Sequence, residues 1–62
     1  MNNEMKKLHL IEMRLINRCR RQDIDPYICG HLQEVSQSAE EMAVADYLCK
    51  VRIAREECLK CL

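Results

Sequence analysis

The sequence predicts an all-α protein: a small helical bundle of two long helices, about 3–21 and 38–61, joined by a short helix at about 26–35. Three observations predict it. Glycine and proline occur once each, so little interrupts the chain. Apolar residues recur at helical spacing in both long segments. Helix-start signals stand at Asp25-Pro26 and at Ser38 with Glu41.

The first helix is expected to start at Asn2 or Asn3 as cap, with Glu4 favourable in its first turn. Met5, Leu8, Ile11, Leu15, Ile16 and Cys19 form its apolar stripe, roughly 140° wide, an ordinary core face. "RCRRQ" at 18–22 ends it with positive charge at the negative end of the dipole. The Asp25 carboxylate then caps a helix whose first residue is Pro26. Ile28, Leu32 and Val35 are its expected buried face, and Gly30 inside it weakens it by about 1 kcal/mol relative to Ala.

Ser38 and Glu41 match a capping box, with Ser36 as the competing cap. From Ala39 to Cys61 neither proline nor glycine intervenes. Val44, Tyr47, Val51, Ala54, Cys58 and Cys61 alternate spacings of three and four, as a coiled-coil seam does. Ala43, Leu48 and Leu62 lie on the same stripe. The two long helices are expected to pack antiparallel if the middle segment acts as a connector.

The 62 residues make one domain. A chain of this size buries only about 60% of its unfolded surface. This one has no Trp or Phe, and its only aromatics are Tyr27 and Tyr47. Extra stabilisation is therefore expected, from a subunit partner, a metal or disulfides. Small second apolar groups lie off the main stripes: Leu10 and Met13 on the first helix; Met42, Cys49 and Ile53 on the last. They are candidate protein-interaction residues, and a homodimer is the expected source of cover.

Five cysteines leave at least one thiol unpaired within a chain. No signal-peptide pattern and no membrane span is visible, so free thiols in a reducing cytoplasm are expected. Cys58 and Cys61 have the spacing of half a zinc site, for which Cys29 and His31 are the other candidate ligands. Against zinc, Cys58 continues the apolar stripe without a metal. A redox role is disfavoured, because the pair sits at a helix C-terminus beside Glu56 and Glu57, where a thiolate is destabilised.

Catalytic constellations are otherwise missing from the pattern. His9 and His31 have no nucleophile and orienting acid at informative spacing. The pair Glu40 and Glu41 suits a helix N-terminus, and no glycine-rich phosphate loop occurs. A chain this short has little room for a pocket, so neither an enzyme nor a small-molecule substrate is expected.

Charge is unevenly spread. Residues 1–22 carry six basic against two acidic residues, and residues 23–62 carry four against eight, so net charges of +4 and −4 sum to zero. Lys6, Lys7, Arg14, Arg18, Arg20 and Arg21 are therefore candidate phosphate contacts in a nucleic-acid-binding alternative. The would-be recognition helix begins "AEEMAVAD", which lacks side chains that read base edges, so such binding would be mostly non-specific. A membrane-surface role for the basic helix is disfavoured by the lack of Trp and Phe.

In size and composition, across the whole chain, the protein resembles the small accessory proteins encoded by temperate phages and other mobile elements. The resemblance rests on no motif. It implies a role in adjusting host or phage gene programmes, through binding and modulating a regulatory protein.

Overall fold

A computed structural model describes residues 3–61. It is all-α, with no strand among the described residues: α1 spans Asn3–Arg21, α2 His31–Glu34 and α3 Ala39–Lys60. The ends of α1 and α3 fall within a residue of the sequence expectation. The short helix is smaller than expected. Asp25 does act as a cap, accepting from the Tyr27 N–H at 2.9 Å, but only a turn follows. Gly30 stops its growth, because its backbone is left-handed at φ 94°. A new start then gives the single helical turn of α2.

Both ends of the intervening stretch are closed locally. Asp23 adopts the left-handed conformation at φ 57°. The Asp23 N–H bonds the Arg20 carbonyl at 3.2 Å, and the Ile24 N–H bonds the Cys19 carbonyl at 2.9 Å. This is a Schellman cap with aspartate in the position glycine usually takes. Its apolar partner, Ile24, packs on the core. At the other end the Ser36 hydroxyl donates to the Leu32 carbonyl at 2.9 Å.

The core joins Ile11, Leu15, Ile16 and Cys19 of α1 to Leu32 and Val35 and to Val44 and Ala45 of α3. Leu8, Ile24 and Leu48 close its rim. The expected antiparallel alignment of α1 and α3 is not found. Lys7 and Arg18 lie about 16 Å apart along α1. Yet Lys7 reaches Glu40 at 2.9 Å and Arg18 reaches Glu41 at 2.7 Å, two adjacent residues in the first turn of α3. So α1 lies across the N-terminal turns of α3 instead of along its length. The flat 36 × 32 × 17 Å envelope suits two long helices crossed steeply.

That crossing corrects several burial expectations. Met5 of α1 is exposed, as are Tyr47, Val51, Ala54 and Cys58 of α3. Beyond Arg52, every described residue of α3 is exposed. Ile28 is exposed too, because the turn preceding Gly30 points it outward instead of continuing a helical face.

Candidate functional site

The node that sets the crossing is Glu41, a buried carboxylate. The Arg18 guanidinium donates to both its oxygens, Nη1 to Oε1 at 2.7 Å and Nη2 to Oε2 at 3.3 Å. Nη1 also donates to the Val35 carbonyl at 2.8 Å, tying three segments together. Arg14 approaches the second oxygen at 3.5 Å. The expected capping box is only half formed. Ser38 Oγ accepts from the Glu41 N–H at 3.1 Å, but Glu41 Oε1 accepts from the N–H of Gln37 at 2.8 Å. Hydrogen bonds from Arg18 and the Gln37 backbone hold the Glu41 carboxyl down to about 2. The same bond raises the pKa of Arg18.

A second set of contacts fastens the loop before α2 to the middle of α3. Cys29 and Cys49 are joined by a disulfide, with Cα atoms 5.1 Å apart. Arg52 donates to the Pro26 carbonyl at 2.6 Å and lies 5.3 Å from the centre of the Tyr27 ring. His31 Nδ1 stands 2.9 Å from the Asp25 carbonyl, which can only accept, so that nitrogen carries the proton. Gln33 adds a 3.4 Å bond to Asp46.

These two anchors use one side of α3 and leave an adjacent side open. Val44 is covered by the core, but among the described residues the heptad seam is exposed from Tyr47 onward. Tyr47 is 51% exposed and Val51 37%. Ala54, Cys58 and Cys61 continue the line, all exposed. A second apolar surface lies on the first half of α1, where Met5 and Leu10 flank a shallow cavity with Lys6 and His9.

The expected interaction residues divide accordingly. Leu10, Met13, Met42 and Ile53 are exposed and large. Cys49 is half-buried and bonded to Cys29, so it adds no free apolar surface. The expectation of five free thiols fails at these two positions; Cys19, Cys58 and Cys61 remain thiols. Cys19 is fully buried, 3.8 Å from the His31 carbonyl, and burial pushes its thiol pKa up. That combination suits a packing residue and not a nucleophile.

The candidate basic face is half engaged. Lys7, Arg14 and Arg18 are held by Glu40 and Glu41, and Arg18 is only 15% exposed. Lys6, Arg20 and Arg21 are exposed and carry no ion pair among the described residues. Lys6 lies about 21 Å along α1 from Arg20, so these do not form one cluster. The candidate zinc ligands are not brought together either. Cys29 is in the disulfide, His31 faces Asp25, and Cys58 and Cys61 end α3. Among the described residues no three metal-ligating side chains converge. Nor is any helix long and apolar enough to cross a membrane.

The Arg52 clamp and the buried state of Glu41 escaped sequence reading. Each depends on a partner more than twenty positions away, which no local pattern encodes. No family model matches the chain, and neither a curated protein nor a solved structure shows significant similarity to it.

Proposed function

We propose that this is a small non-enzymatic protein-interaction module, which self-associates as a homodimer and binds and modulates another protein, a regulatory factor of a host or mobile element. The observation that carries the reading is the open seam of α3. A run of alternating three- and four-residue spacings is the signature of a helix that packs on another helix along its length. Here its second half projects past the core, with Tyr47, Val51, Ala54 and Cys58 in solvent. Cover by another chain accounts for both the pattern and the exposure.

A separate surface serves the second partner. Leu10 and Met13 sit on α1 away from the core face, Met5 is exposed at the N-terminal end of its stripe, and Leu10 is 65% exposed. Methionine-rich apolar surfaces adapt to varied partner shapes. Regulatory modulation follows from the resemblance to mobile-element accessory proteins, and the role is one of occupying a partner's surface.

Native mass spectrometry and sedimentation of the purified chain test the reading. A species of two chains is expected, with Tyr47→Glu shifting it to one chain while helicity is kept. A single-chain species at concentrations of about 100 μM would overturn self-association, since specific dimers of this kind form at micromolar levels or below.

A further inference from the structure

We propose that a second copy of this chain docks antiparallel on the α3 seam, with Val51 of each copy opposite Ala54 of the other. The inference rests on the self-association reading above and adds the direction and register of the pair.

Two independent features select the antiparallel arrangement. The first is side-chain size. With Val51 facing Ala54, Tyr47 faces Cys58 and the covered Val44 comes level with Cys61 at the rim. Each layer then sets a larger residue against a smaller one, and the seam fills evenly. A parallel, in-register pair instead stacks Tyr47 on Tyr47 and Ala54 on Ala54, giving one bulging layer and one gap. Uneven layers of that kind lose contact area along the whole seam.

The second feature is charge. Lys50 and Glu57 flank the seam on one edge, Leu48 and Arg55 on the other. In antiparallel coiled coils like edges meet; in parallel ones opposite edges meet. The antiparallel register sets Lys50 of each copy beside Glu57 of the other, giving two attractive pairs. The parallel arrangement sets Lys50 beside Arg55, giving two repulsive pairs. Lys50 is exposed, and its 2.9 Å pair with Asp46 on its own helix leaves further ammonium donors available. Lys50, Arg55 and Glu57 are all exposed and take no part in the core.

The experiment uses the full chain with Cys61→Ser, so that Cys58 is its one exposed thiol. In the antiparallel register the two Cys58 residues lie about 16 Å apart along the pair. A disulfide needs Cα atoms within about 7 Å. Under a copper–phenanthroline oxidant, Cys58 is expected to form no interchain disulfide. Adding Tyr47→Cys places a thiol opposite Cys58 of the other copy, and an interchain bond between the introduced thiol and Cys58 is expected. Rapid Cys58–Cys58 linkage, or failure of the introduced thiol to link to Cys58, would overturn the inference.

Charge reversal supplies a second readout with opposite signs for the two geometries. Lys50→Glu is expected to weaken the dimer by about ten-fold, and Lys50→Glu with Glu57→Lys to restore it. A tighter dimer in the single variant would mean parallel packing and overturn the proposal. Far-ultraviolet circular dichroism verifies that each variant folds. Sedimentation of the parent chain separates the two failures. A monomeric parent sinks self-association itself, whereas a dimeric parent with Cys58–Cys58 linkage sinks only the direction.

Discussion

The Arg18 guanidinium grips the Glu41 carboxylate through two hydrogen bonds, 2.7 and 3.3 Å long, at the point where α1 crosses α3. Glu41 serves two structures at once. Its backbone N–H is capped by Ser38, and its carboxylate binds Arg18 and the Gln37 N–H. Bidentate pairing of this kind fixes orientation as well as distance. The crossing of the two long helices is therefore tied to the cap of α3.

Acid stability should report this contact. The Glu41 carboxyl titrates at about 2 in the folded chain, below its ordinary 4.5. A lowered folded pKa stabilises the native state above the unfolded value, and this stabilisation fades as pH falls toward the folded one. The contribution should be complete at pH 7, decline between about 4.5 and 2, and vanish below that. Glu41→Gln should lower the urea midpoint at pH 7, with the gap from the parent closing as pH approaches 2. A gap independent of pH would mean that the carboxylate's charge is not what stabilises the fold.

The two left-handed residues should respond in opposite directions. Asp23 holds φ 57° in the Schellman cap, where an L side chain costs roughly 1 kcal/mol and glycine does not. Asp23→Gly should stabilise the chain by about 0.5–1 kcal/mol. Gly30 stands at φ 94°, where an added Cβ would make only an ordinary 4.0 Å contact with Gln33 Oε1, so Gly30→Ala meets no clash and its cost is backbone strain alone, about 1 kcal/mol. In a domain of this size about 1 kcal/mol moves Tm by about 4–8 °C. Thermal melts of the two variants should shift up and down respectively.

Much of this core was legible in the sequence. Ile11, Leu15, Cys19, Leu32, Val35 and Val44 fall on the stripes that their helical periods define, and all six are buried. What periodicity leaves open is which part of a stripe is covered, and by what. Tyr47 and Val51 share the stripe of Val44, yet they are exposed because α1 crosses only the first turns of α3. The crossing follows from Arg18, Val35 and Glu41 meeting, a long-range coincidence with no local signature. Arg18 reads as one of a run of surface cations until Glu41 is placed beside it. Cys29 and Cys49 likewise read as unrelated thiols until the loop turns back onto α3.

The Cys29–Cys49 disulfide should be a measurable part of stability. It closes a loop with a sequence separation of 20, for which chain-entropy reasoning gives about 3 kcal/mol. The Cys29→Ser, Cys49→Ser double variant should unfold at correspondingly lower urea. In the parent diluted to single chains, Ellman's reagent should titrate two thiols quickly, Cys58 and Cys61, and Cys19 only on unfolding. Four fast thiols without added reductant would mean that the bond is not formed.

Arg52 should hold the loop in place independently of the disulfide. Its guanidinium reaches the Pro26 carbonyl at 2.6 Å and lies over Tyr27, so one side chain joins the middle of α3 to the turn that starts after Asp25. Arg52→Met keeps the apolar stem and removes the charge, the hydrogen bond and the ring contact. The expected loss is about 1–2 kcal/mol. It is read at the turn itself, where the contacts of Arg52 are made. Hydrogen exchange reads it: the Ile28 and His31 amides, bonded within the turn, should exchange roughly 5–30-fold faster in the variant. The Leu15 and Cys19 amides in α1, where global unfolding sets the protection, should speed by no more than that factor. Unchanged exchange at Ile28 and His31 would show that the disulfide alone fastens the loop.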